Sequence, residues 1–296
     1  MKTKTCLTVQ AAILAMAFTM NNAFADTPIK VEDAITDKGK LKVDVGVTYS
    51  NSDNQNFAVG ESVLVQTGTN SFVQIPSSIS EQRTNQDHLI GTLGIRYGLT
   101  DKAEIYSRTS YQYSQIRSSD SNGTYQYNEN RLSDTWLGVN YQFKKDTETP
   151  AVLGFAEVAL AERYPDKLRS FQSAMVGVTT YKVIDPVLLS LNLAYRMSRA
   201  SKQGENRYKS GNFLVISPAV AFAVNDKITL NGGVQWIYKN ADKYNDKQNT
   251  HNQTSTDMLW GLTYSPSKDN IFDLSVKSNI SGQKGADLNF KWQHQF

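Results

Sequence analysis

Residues 187–198 read VLLSLNLAYRMS, and the character of the side chains switches at every step. Val187, Leu189, Leu191, Leu193, Tyr195 and Met197 fall on one face; Leu188, Ser190, Asn192, Ala194, Arg196 and Ser198 fall on the other. A period of two marks a β-strand, because successive side chains of extended backbone point to opposite faces. The run is also about the ~10 residues that a tilted strand needs to cross a bilayer. The pattern recurs at 228–238, where Ile228, Leu230, Gly232, Val234, Trp236 and Tyr238 oppose Thr229, Asn231, Gly233 and Gln235. It recurs again at the C-terminus. There Leu288, Phe290, Trp292, His294 and Phe296 alternate with Asp287, Asn289, Lys291, Gln293 and Gln295.

Extended along the chain, the pattern predicts twelve strands, near 40–51, 87–98, 103–115, 132–144, 151–162, 173–183, 187–198, 212–224, 228–239, 256–265, 271–281 and 286–296. The fifth, AVLGFAEVALA, is apolar on both faces and is the place to expect a bulge. Connections alternate in length. Leu99–Lys102, Lys145–Pro150, Ile184–Pro186, Asn225–Lys227 and Ser265–Asn270 are short and carry Asp, Asn, Pro and Ser, which suit tight turns. Those at 52–86, 116–131, 163–172, 199–211, 240–255 and 282–285 are mostly longer and more polar. Short turns on one side and long loops on the other are the arrangement of outer-membrane barrels, and an even strand count puts both termini on the periplasmic side.

The N-terminus reads as an export signal. Lys2 and Lys4 precede a mostly apolar run at 6–20, and Ala23-Phe24-Ala25 supplies the small-x-small pattern of a signal-peptidase site. The apolar run is shorter than the ~20 residues of a spanning helix. Cleavage after residue 25 removes the one cysteine, Cys6, and lowers the formal net charge from +3 to +1 by taking away Lys2 and Lys4. The remainder has neither disulfides nor cysteine metal sites, and its balanced charge gives no reason to expect nucleic-acid binding. Mean hydropathy is −0.45, yet there are 15 Tyr, 12 Phe and 4 Trp. Alternation gives that mixture when one face of each strand meets lipid and the other meets water. Residues 26–39 precede the first strand: Thr27 and Pro28 suit a helix start and Gly39 its end, so this stretch is expected as a short periplasmic or plug segment.

A sheet in hydrocarbon must close, since an open edge leaves backbone groups unpaired. The expected fold is therefore all-β, a transmembrane antiparallel up-and-down barrel over 40–296. Aromatic residues near strand ends (Tyr97, Tyr106, Tyr141, Phe143, Trp236, Tyr238, Trp260, Tyr264, Trp292, Phe296) are expected to form interfacial girdles. Phe290, Trp292 and Phe296 share the lipid-facing phase and resemble the C-terminal signal read by the outer-membrane assembly machinery, so that machinery and membrane lipid are the expected partners.

Twelve strands spaced ~4.8 Å and tilted ~40° give a backbone radius of roughly 12 Å, a bore suited to a small solute. The inward phase carries both signs: Lys42, Asp44, Arg96, Glu104, Arg108, Asp134, Arg196, Lys239, Asp257, Asp273, Lys277, Asp287 and Lys291. Arg96, Glu104, Arg108, Asp134, Arg196, Asp257 and Lys277 are the candidate lumen-lining residues. They can coordinate a polar solute or set ion preference; for any one of them, bracing across the lumen is the simpler reading. Catalysis finds little support. His88 lies at a loop margin, His251 in a polar loop and His294 in the lipid-facing phase, and no cofactor motif is present. Asp87-His88 is similar to a fragment of an outer-membrane protease site, without an identifiable acidic pair. The 52–86 loop, with SVLVQTGTNSFVQIP, is expected to form a small hairpin that either constricts the mouth or projects for adhesion.

The stretch Arg96-Tyr-Gly-Leu-Thr-Asp-Lys-Ala-Glu-Ile-Tyr106 resembles the strand-turn-strand of transporters in the phenol-degradation meta-pathway family, and Phe222-Ala-Val-Asn-Asp-Lys-Ile-Thr-Leu230 repeats that style of turn. The family is related to barrel secretors of functional-amyloid subunits. The resemblance implies a twelve-stranded outer-membrane transporter. Two functions follow as expectations: a channel for a small solute, hydrophobic or aromatic in character, or a barrel that exports or engages a protein partner such as a fibre subunit.

Overall fold

The computed structural model describes residues 35–52, 55–59, 62–68, 71–76, 79–83, 86–120, 123–163, 167–281 and 285–296. The expected signal peptide and residues 26–34 of the expected leader helix lie outside these. Twelve strands form one antiparallel sheet. They are β1 (Leu41–Ser52), β2 (Gln86–Thr100), β3 (Ala103–Asp120), β4 (Gly123–Lys144), β5 (Ala151–Arg163), β6 (Ser173–Ile184), β7 (Val187–Ser198), β8 (Phe213–Ala223), β9 (Ile228–Lys239), β10 (Gln253–Ser267), β11 (Asn270–Asn279) and β12 (Gly285–Gln295). Each pairs with its sequence neighbours, and β12 closes on β1 with Val45 opposite Trp292 and Gly46 opposite Lys291. No sheet edge is left inside the ring, as a lipid environment requires.

Burial follows the alternation. In β7 the inward set Leu188, Asn192, Ala194, Arg196 and Ser198 is buried, while Leu189, Leu193, Tyr195 and Met197 are exposed. Around the barrel the exposed set is large and apolar (Val45, Val47, Leu93, Ile95, Val176, Val220, Phe222, Leu274, Phe290) and the buried set is largely polar. This inversion of a soluble fold identifies the outer surface as the lipid-facing one. Phe296 continues it: its N–H donates to the carbonyl of Leu41 at 2.8 Å, and its ring meets His294 edge-on at 4.4 Å. His294 is accommodated on this face because its Nδ1 lies 3.0 Å from Asn270 Oδ1 and its ring packs between Trp292 and Phe296.

The expected bulge in the fifth strand is present: Thr135 pairs with Ala161 and Trp136 with Ala159, leaving Leu160 without an opposite. Three expectations are corrected. The 116–131 stretch is a paired ribbon rather than a loop, running from Ile116 opposite Tyr127 to Asp120 opposite Gly123. Its many polar residues hide a strand because a ribbon standing in water needs no apolar face. Tyr106 does not join an interfacial girdle; it shares the phase of Glu104 and Arg108, is buried, and donates its hydroxyl to Glu157 at 2.9 Å. Residues 35–39 are not helical. The N–H of Thr36 goes to Glu104 Oε2 at 2.7 Å and Gly39 bonds the carbonyl of Gly98 at 2.8 Å, so side chain and sheet take the groups a helix would use. Gly39 sits at φ 80°, the left-handed region that glycine enters without strain, and there turns the chain into β1.

The 52–86 connection builds two successive ribbons, 55–59 with 79–83 and 62–68 with 71–76. The strand 71–76 lies against β7 and β8, and Val73 is only 2% exposed among inward-facing residues of the wall. The hairpin thus descends into the barrel instead of projecting from it.

Candidate functional site

The interior is the candidate site. All seven candidate residues occupy the inward phase, and each has a partner. Arg96 binds Asp44 through both Nε (2.9 Å) and Nη2 (2.8 Å), and Gln293 at 2.6 Å. Its register partner on β3 is Tyr106. Glu104 accepts from Thr36 and from Asn140 Nδ2, both at 2.7 Å. Arg108 reaches Glu157 at 3.3 Å, and Asp134 accepts from the Trp136 indole at 3.0 Å. Arg196 pairs with Glu162 at 2.5 Å and donates to Ser173 at 3.1 Å. Asp257 accepts from Asn279 at 2.8 Å, and Lys277 pairs with Asp287 at 2.7 Å. The charges therefore brace strand to strand. The carboxylates Glu157 and Glu162 escaped the sequence reading, although they are the only acids in an otherwise apolar strand and each matches an inward cation.

Three of the cations also stack on rings. Arg108 lies 5.5 Å from the centroid of Trp136 on one side, and Arg196 lies 5.3 Å from it. Arg196 is in turn 5.7 Å from Phe213, whose ring is 5.5 Å from Lys239 Nζ. A run of cation, ring, cation, ring, cation thus climbs from the middle of β3 to the outer ends of β8 and β9. Desolvated contacts of this kind contribute ~0.5–2 kcal/mol each.

Filling is unequal around the ring. On β3–β6 the large inward residues Tyr106, Arg108, Trp136, Phe155, Glu157 and Met175 are buried, with Gly138 and Gly177 making room for the Tyr106 and Phe155 rings. On β7–β12 and β1 the mid-height inward residues are small or short: Ser190, Ala219, Asn231, Gly233, Gly261, Ser275, Asn289 and Thr48, all partly exposed to the interior. These small residues leave room off-centre, which the hairpin strand 71–76 enters against β7 and β8. Hairpin residue Val73 borders it, and with Ser190, Ala219, Ala221, Asn231, Gly233 and Leu259 it lines a small cavity whose boundary also takes in Val220, Gly232 and Trp260 of the outward phase.

At the periplasmic mouth the leader crosses the inner wall. A Cβ on Gly98 would come within 2.1 Å of the Asp37 carbonyl, so only glycine lets the segment pass. Lys40 and Gln295 then hold Asp37 at 3.0 and 3.1 Å. His88, the third residue of β2, is buried on the inward face, with Nδ1 2.7 Å from Ser114 and 2.8 Å from Gln112. Serine and amide share one ring nitrogen, whereas a hydrolytic relay needs serine on one nitrogen and an orienting group on the other.

A closed twelve-stranded sheet with an apolar exterior and a charged interior is an outer-membrane β-barrel. Its fold is similar to that of an outer-membrane channel from Pseudomonas putida F1 (TM-score 0.63, 11% identity, 91% of this chain and 99% of that one) and of the NanC porin (TM-score 0.52, 10% identity, 85% and 98%). No curated protein sequence matches the chain. Residues 36–292 match the family model described as "Putative MetA-pathway of phenol degradation", and the chain belongs to that family.

Proposed function

We propose that this barrel is a passive channel of the outer membrane for small solutes of hydrophobic or aromatic character. The off-centre space carries the reading. Bulky side chains fill the β3–β6 side, and on the other a mid-height band of small side chains, flanked along the strands by the ion pairs Arg96–Asp44 and Lys277–Asp287, leaves a route with Val73 and Leu259 beside it. The family's description names phenol degradation, and the structurally similar proteins are a channel and a porin, which fits a role in solute passage. We assign it no enzymatic activity. In this reading residues 1–25 are a cleaved export signal, residues 26–39 restrict the periplasmic mouth, and Phe290, Trp292 and Phe296 are recognised during barrel assembly. Arg96, Glu104, Arg108, Asp134, Arg196, Asp257 and Lys277 shape the lumen by bracing it. Purified protein in planar bilayers should show small discrete conductance steps that grow when residues 60–76 are removed. A barrel that stays silent with and without those residues would overturn the proposal.

A further inference from the structure

The strand 71–76 meets the wall at a place where the wall has almost no side chains. Val73 sits over Ser190, Ala219, Ala221, Asn231 and Gly233. Gly233 allows β8 and β9 to approach closely here, since a Cβ on it would stand 2.9 Å from the Pro218 carbonyl. The result is a shallow niche with one apolar side chain pressed into it from the hairpin.

One polar group in the niche has a fixed sense. Thr263 donates its hydroxyl to the Asp273 carboxylate at 2.9 Å, and a carboxylate can only accept. The Thr263 oxygen must then accept, and it does so from Asn231 Nδ2 at 2.9 Å. That relay leaves the Asn231 carbonyl oxygen as the free end of the amide. The niche thus offers apolar Cβ surface with two acceptor oxygens, the Asn231 carbonyl and the hydroxyl of Ser190, which itself donates to the Ala219 carbonyl at 3.4 Å, and no cation among its lining residues. An acceptor favours a solute that brings its own O–H or N–H.

We propose that this niche is a solute subsite for a neutral single-ring molecule bearing a hydrogen-bond donor, and that Val73 occupies it when no solute is bound. The solute's ring takes the place of the valine side chain and its donor is accepted by Asn231. The hairpin withdraws as the solute enters. The proposal rests on the channel reading above, and names where in the lumen the solute pauses and what it must carry.

The test uses the full mature chain in lipid vesicles, with phenol as the donor-bearing probe and anisole as its donor-free counterpart. Equilibrium dialysis should show phenol bound at least tenfold more tightly than anisole. Val73→Ala should raise phenol affinity several-fold by removing the competitor. Ala221→Leu, filling the niche from the wall, and Val73→Phe, filling it from the hairpin, should each lower phenol affinity about tenfold; two variants guard against one that fails to fold. Asn231→Leu should bring phenol down to the level of anisole and leave anisole unchanged. Equal binding of the two probes, or phenol affinity indifferent to all four substitutions, would overturn the subsite. Conductance in the same preparation separates the two ideas. A conducting barrel that fails these tests loses only the subsite, whereas a silent one loses the channel reading as well.

Discussion

Arg196 and Glu162 provide a direct test of whether the packed side of the lumen is dry. Both side chains are buried, their closest atoms are 2.5 Å apart, and the guanidinium also lies within 5.7 Å of the Trp136 and Phe213 ring centroids. With charge centres roughly 4 Å apart, the attraction is about 1 kcal/mol if lumen water surrounds the pair, but about 4 kcal/mol at the effective dielectric of a protein interior. Glu162→Gln or Arg196→Met alone strands a buried charge and should cost about 3–5 kcal/mol. The double variant strands none and should cost much less than the sum, chiefly the two cation–ring contacts at ~0.5–2 kcal/mol each. The coupling should therefore be at least about 2 kcal/mol. Urea unfolding in vesicles, followed by heat-modifiable gel migration and by fluorescence, measures the cycle; Trp136 is buried beside the pair and reports its loss. Additive single effects, within ~0.5 kcal/mol as found for independent sites, would refute the reasoning and mean that water reaches the pair.

Three further outcomes follow. Gly98→Val should push the leader off the wall, because the Asp37 carbonyl occupies the place of the new side chain, and conductance should rise; unchanged conductance would show that residues 35–38 do not restrict the mouth. Leu193→Arg places a charge at mid-height on the lipid face, where its partner rows are apolar, and should cost ~2–4 kcal/mol in vesicle unfolding; a neutral result would contradict the assigned facing of β7. Deleting Phe296 should sharply reduce the amount of folded barrel in cells while purified protein still refolds in detergent, since in the fold the residue contributes one backbone bond to Leu41 and one ring contact to His294. Equal loss in both settings would make it a structural residue and not a recognition signal.

Alternation alone made the twelve strands and the inside-outside assignment legible, because lipid on one face and water on the other impose a period that local propensity cannot disguise. Every inward charge read from phase, from Lys42 to Lys291, lies on the interior side. Where the environment no longer differs between faces, the signal vanished. The ribbon from Ile116 to Arg131 is polar on both faces and reads as loop, and His88 reads as peripheral because it is only the third residue of β2. Partners were also hidden. Arg196 and Glu162 are not cross-strand neighbours, since β6 separates β5 from β7, so their pairing depends on barrel curvature and on the bulge at Leu160, neither of which a strand-by-strand reading supplies. Nor does sequence tell that Val73 turns inward, because the same hairpin could stand on either side of the rim.

The uneven lumen has a further physical consequence. Large inward residues on β3–β6 are explained by stability, since they pair, stack and exclude water. Small ones on the opposite wall are not. Glycine in a strand weakens it by roughly 0.5–1 kcal/mol relative to alanine, and at Gly233 the close approach of the Pro218 carbonyl is a sufficient packing reason. Gly261 has no such reason: a Cβ there would meet its nearest atoms at 3.4 Å, an ordinary contact, and the position faces the interior partly exposed. A residue that costs stability and relieves no clash is best accounted for by the space it leaves. That space continues from the niche at Asn231 and Gly233 toward Ser275 and Asn289, neighbours in register across β10–β12. The bulky β3–β6 side holds the shape, and the mid-height band of small residues opposite, between the ion pairs Arg96–Asp44 and Lys277–Asp287, forms the path.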